Sequence, residues 1–120
     1  MTLTALILGI IGLTLSFVPE EIIKYLKIES TTTTTLLFQL LGSLYLGFGI
    51  LNWMVKGSLI GGIYNKPIVI GNLMHFGVGT ITLFKIVALN EMTLLPTVVY
   101  LIFALAFVFV FMKNPIKNLK

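Results

Sequence analysis

The sequence predicts an all-α integral membrane protein, a four-helix bundle running up, down, up and down, with a short amphipathic segment after the first span. Three observations carry that prediction. The 120-residue chain is 58% hydrophobic and only 10% charged, where an ordinary soluble domain is about a quarter charged. Its apolar residues gather in four blocks, about residues 2–18, 34–55, 67–87 and 94–112, each close to the ~20 residues that cross a hydrocarbon core of about 30 Å. The prolines and most of the charges fall at the ends of these blocks or between them. With short connections throughout, residues 1–120 read as a single transmembrane domain.

The first block, Thr2 to Val18, has no basic segment before it and no Ala-x-Ala-like site after it, which argues for a span and against a cleaved signal peptide. Ala5, Gly9, Gly12 and Ser16 recur at intervals of four, three and four, a small-residue stripe on which another helix can pack closely. Pro19 interrupts the block. Glu20 and Glu21 then suit the first turn of a new helix. Over Pro19–Glu29, Ile22, Ile23 and Leu26 take one side and Glu20, Lys24 and Lys27 largely the other, the pattern of a short helix at the membrane surface. A continuation of the first helix beyond a proline kink is the alternative.

Ser30 to Thr35 is a threonine-rich junction whose hydroxyls are suited to capping the second span. That span closes with Trp53, an interface aromatic, and Lys56 marks its exit. The connection Gly57–Lys66 is glycine-rich but lacks the Gly-Lys-Ser/Thr ending of a phosphate loop, so nucleotide binding is not expected there. Asn65 and Pro67 suit the start of the third span. After it, Asn90, Glu91 and Thr93 form a polar connection that leads into the fourth span near Pro96. Tyr100, Phe103 and Phe107 share a face of that last helix, which reads as core packing or lipid contact.

Composition excludes several chemistries. Without cysteine there is no disulfide, thiolate or cysteine-ligated metal chemistry within the chain. All eight basic residues are lysine, so there is no guanidinium clamp, and the net charge of +4 points to topology instead of nucleic acid. Four passes put Lys56, Lys66, Lys113, Lys117 and Lys120 on one side, against Lys24, Lys27 and Lys85 on the other. By the positive-inside rule both termini are cytoplasmic.

The chemistry-bearing residues concentrate on spans two and three. In helical phase Gln39, Gly42, Tyr45, Gly49 and Asn52 share one face, and Asn72, His75, Gly79, Thr82 and Lys85 another. If Asn52 lies level with Asn72, Gly49 meets His75, Tyr45 meets Gly79, Gly42 meets Thr82 and Gln39 meets Lys85. Tyr45, Asn52, Asn72 and His75 are then the candidate ligand-binding residues of a polar seam, with Gln39, Ser43, Thr82 and Lys85 as secondary polar contacts. His75 is expected about 12 Å inside the membrane, where an ionisable side chain points to function by default. The competing reading is helix glue, with neutral His75 bonded to a tyrosine or asparagine. Lys85 reads as a snorkelling side chain or a partner for Glu91.

No second histidine completes a metal or haem site, and no acid within a span orients His75 as a base, so no catalytic residue, metal or cofactor is assigned. The plan is similar to that of small multidrug-resistance transporters, which also have four spans and act as dimers. Their coupling glutamate has no counterpart in Thr2 to Val18. Fluoride-channel dimers are of similar size, but their first-helix arginine is also absent. LGSLYLGFGILNW at Leu41–Trp53 and IGNLMHFGVG at Ile70–Gly79 resemble small four-helix bacterial membrane proteins of uncharacterised activity, which implies a fold plan and a bacterial inner membrane without an activity. The expectation is a non-enzymatic protein, accessory or structural, or binding lipid or a small ligand through the seam. Its partners would be membrane lipid and a homodimer mate or a larger complex. A small dimeric transporter or channel is the alternative.

Overall fold

The computed structural model describes residues 1–58, 65–87 and 91–113, and helix is the only regular structure among them. The helices are α1 (Thr2–Phe17), α2 (Pro19–Tyr25), α3 (Thr32–Val55), α4 (Asn65–Val87) and α5 (Leu94–Met112), with a 3-10 turn at Glu91–Thr93 before α5. The expected spans match α1, α3, α4 and α5 to within two residues at each end. Three of these, α3, α4 and α5, are long and apolar enough to cross a membrane alone; α1 and α2 qualify as a fourth span only as a pair, bent by 96° at their junction. The rest of the glycine-rich connection, Asn90, Lys117 and Lys120 lie outside the described residues, as does the Glu91 side chain expected near Lys85.

The chain forms two compact units, residues 1–57 and 58–120. In the first, α1 and α3 run antiparallel with their backbones in direct contact. A Cβ added to Gly12 would lie 2.6 Å from the Leu46 amide nitrogen and 2.9 Å from the Gly42 carbonyl oxygen. One on Gly42 would lie 2.7 Å from the Ser16 nitrogen, and one on Gly49 would lie 3.0 Å from that of Gly9. The Ala5, Gly9, Gly12 and Ser16 stripe is therefore the groove into which the glycine face of α3 fits. Such contact is available only to residues without bulk, and it is how helices associate where lipid competes with every apolar side chain.

The glycines expected in the seam find neighbours within their own units. Gly42 and Gly49, read as facing Thr82 and His75, are closed over by α1. Gly79, read as facing Tyr45, carries the ring of Tyr100, 2.5 Å from where its Cβ would stand. The physical reason is complementarity: glycines seven residues apart on α3 meet a matching seven-residue repeat of small residues on α1.

Val18 makes the elbow. Its amide donates to Thr14 O at 2.9 Å to finish α1, and its carbonyl accepts from Ile22 N at 3.4 Å to begin α2, while Pro19 cannot continue the first helix. The α2 helix then ends in a Schellman motif: Ile28 N donates to Ile23 O and Lys27 N to Lys24 O, both at 3.1 Å. Lys27 holds the left-handed position at φ 56°, where glycine is the usual occupant. At the start of α3 the Thr31 hydroxyl accepts from Thr34 N at 3.1 Å, the expected cap.

In the second unit α4 and α5 form an antiparallel hairpin. The buried line of α4 is Asn65, Val69, Asn72 and Phe76, spaced four, three and four, and α5 answers with Thr97, Ala104 and Phe107. Outside both hairpins the surface is apolar, with Leu3, Ile10, Leu37, Leu44, Ile81, Phe84, Leu95 and Ile102 all exposed.

Two substitutions separate close packing from helix propensity. Gly42→Ala should destabilise the first unit by about 1–3 kcal/mol through overpacking. Gly47→Ala, with nothing within 4 Å of its Cβ, should be neutral or stabilising by up to about 1 kcal/mol. Unfolding in detergent micelles, followed by circular dichroism, checks both. Lys27→Gly should also stabilise, by about 1 kcal/mol, through release of the left-handed backbone cost.

Candidate functional site

Polar side chains within a helix that faces lipid must find partners in protein. Here several of them find one on their own helix. The Asn52 side-chain amide donates to Phe48 O and that of Asn72 to Ile68 O, both at 2.8 Å. The Thr80, Thr82 and Thr97 hydroxyls each donate to the carbonyl four residues earlier, and Ser43 donates to Leu40 O. These bonds occupy the hydroxyl donors, and one N–H of each amide, without a second helix.

His75 and Tyr100 depart from that pattern. The Tyr100 hydroxyl lies 3.3 Å from His75 Nε2, linking α4 to α5. Three features set the pair. Gly79, one turn beyond His75, leaves room for the phenol ring. Phe76, 1% exposed, stands edge-on to both rings, with centroids 5.0 Å from His75 and 5.1 Å from Tyr100. Phe76 is itself stacked on Phe103 at 5.0 Å and on Phe107 at 5.8 Å. The Tyr100, Phe103 and Phe107 face of α5 thus wraps one ring of α4, an arrangement in which aromatic pairs gain about 0.5–1.5 kcal/mol beyond simple burial.

The sequence-predicted residues distribute as follows. Asn52, in the first unit, and Asn72, in the second, are both fully buried. Tyr45 and His75 are half-buried, while Gln39, Ser43, Thr82 and Lys85 are exposed. His75 bonds across to a neighbouring helix, and its partner is Tyr100. Phe76 was missed, since an aromatic inside an apolar helix carries no distinguishing signal. The usable clue was its place four residues after Asn72, on the same line as Asn65 and Val69.

What this arrangement can do chemically is hold two helices in register while keeping a hydroxyl and an imidazole in contact. Among the described residues, no three His, Cys, Asp or Glu side chains gather where a metal ion could be held.

Tyr100→Phe should cost about 0.6–1.7 kcal/mol, the range of one intramembrane hydrogen bond. Gly79→Ala should cost more, about 1–3 kcal/mol, because the methyl displaces the whole ring. Phe76→Ala should be the most damaging, at about 3–5 kcal/mol. The ranking is checked by unfolding of the purified variants. Compared with models of protein families, with curated proteins and with solved structures, the chain matches none, so its function is read from this geometry alone.

Proposed function

We propose that the chain is a small, non-enzymatic integral membrane protein of a bacterial inner membrane. In this reading it is an accessory or structural component whose partners are lipid and other membrane helices. One observation carries the reading: apolar side chains face outward on both hairpins, while Ser43, Asn52, Asn72, Thr80, Thr82 and Thr97 donate to backbone carbonyls of their own helices and His75 pairs with Tyr100. That is the economy of a helix pair made to sit in lipid and hold its shape. His75 acts first as glue between α4 and α5, and its half-exposed ring is the point where a small ligand of the same membrane would bind.

Four passes, with both ends of the chain cytoplasmic, fit the ends of α3 and α5. Lys56 lies over the Trp53 ring, 2.9 Å from its centroid, and Lys113 lies 4.5 Å from that of Phe109. Each helix thus closes with an aromatic ring at the interface and an ammonium beside its negative dipole end. The lysine bias of the sequence supports the same orientation.

Two measurements test this. Because the chain has no cysteine, single replacements at Glu21, Lys24, Lys56 and Lys113 can be labelled in intact cells with a membrane-impermeant maleimide. Positions 21 and 24 should react and 56 and 113 should not, and the reverse pattern would invert the topology. Extraction into native nanodiscs, followed by mass spectrometry, should recover bound lipid or partner proteins, retained when Tyr100 is replaced by Phe. Substrate flux in proteoliposomes that Tyr100→Phe abolishes without unfolding the protein would replace the accessory reading with a transporter.

A further inference from the structure

The elbow at Val18 leaves a charged step beside α3. The contacts of Gly12 with Gly42 and Leu46, and of Gly42 with Ser16, set a register in which Phe17 falls level with Gln39. The α3 helix, which starts at Thr32, therefore continues past the elbow for seven residues, about 10 Å at 1.5 Å per residue. The α2 helix leaves α1 at 96° and packs against α3 on one side of this projection. An open cavity of about 730 Å³ lies there, lined by Glu20, Glu21 and Lys24 of α2 and by Lys27, Glu29 and Ser30 of the chain returning to α3.

The four-pass reading gives the step a depth. If the bent α1–α2 pair is the first of the four proposed passes, with α1 crossing beside α3 and α2 turning away at the elbow, α2 lies nearly in the bilayer plane, the apolar Ile23 buried beneath it and its charges outward, the placement of an interfacial helix. The cavity then opens into the headgroup layer of the leaflet opposite Lys56. Among the described residues none of its five charges is ion-paired to another, although Glu20 and Lys24 stand four apart on one helix, where such pairs form.

The charge pattern selects among lipids. Three carboxylates and two ammonium groups suit a headgroup that carries one cation and one anion. An anionic headgroup meets a net excess of carboxylate. A quaternary ammonium is recognised by aromatic cages, and no aromatic side chain lines the cavity. A primary ammonium has three N–H donors for carboxylate oxygens. We propose that this step binds a zwitterionic phospholipid with a primary amine, its ammonium against Glu20, Glu21 and Glu29 and its phosphate against Lys24 and Lys27. The proposal rests on the membrane reading above.

The test uses the full chain in phosphatidylcholine bilayers, with spin-labelled phosphatidylethanolamine, phosphatidylcholine or phosphatidylglycerol as probes. The motionally restricted fraction of each probe gives its relative association. Phosphatidylethanolamine should be preferred about threefold over the other two, the effect of one or two exposed ion pairs. The preference should vanish in the Glu20→Gln, Glu21→Gln, Glu29→Gln variant. Quenching of Trp53 by brominated chains reports insertion independently. Equal association of all three probes, or preference for phosphatidylglycerol, with Trp53 still quenched overturns the headgroup site and leaves the membrane reading standing. No restricted component and no Trp53 quenching overturns both.

Discussion

The first unit depends on one contact, the meeting of bare backbone on α1 and α3. Gly12, Gly42 and Gly49 have no Cβ to keep the helices apart, and their partners on the facing helix are amide nitrogens and carbonyl oxygens. In water such a seam would be driven by removal of apolar surface. In lipid that drive is absent, and what remains is dispersion between closely fitted atoms and weak Cα–H to carbonyl contacts. Each of those is small and falls off steeply with distance. The register of the two helices, the position of the elbow, and therefore the level at which α2 leaves the pair, all follow from that fit.

The second unit solves the same problem with bulk. Where α3 offers glycine to a groove, α4 offers Phe76 to a pocket of aromatic rings, and the one glycine that matters there, Gly79, serves to admit Tyr100. A hydroxyl-to-imidazole bond is then held in place by rings that cannot shift without disturbing one another. The partner of His75 is positioned by packing, since Gly79 leaves room for the Tyr100 ring and Phe76 stands edge-on to it.

Much of this was legible in the residues. Hydropathy and Pro19 located the helices and the break between α1 and α2, and Thr31 capped where a hydroxyl was expected. The four-three-four spacing of Ala5, Gly9, Gly12 and Ser16 marked a packing face correctly. What spacing cannot do is name the partner. A stripe fixes the direction in which a helix presents its small or polar residues, while several other helices compete to fill it, and α1 was the better complement to Gly42 and Gly49. On α4 the polar residues drew attention to a stripe through Thr82 and Lys85. Both are exposed, and Thr82 is satisfied by its own backbone. The buried line runs instead through Val69 and Phe76, which look like any other apolar residues in a span. Tyr100, read as packing, is also the hydrogen-bond partner of His75 for the same reason: nothing in its neighbours announces the glycine across the hairpin that makes room for it.

The asparagine amides of α3 and α4, each closed onto a carbonyl one turn back, bear on how such a protein is made. A polar side chain that must wait for a second helix taxes the first one during its passage from the ribosome into lipid. Asn52 and Asn72 impose a smaller toll, since one N–H of each amide is occupied as soon as the local helix has wound. Each span can thus be delivered to the bilayer in turn, with docking of its neighbour left for afterwards.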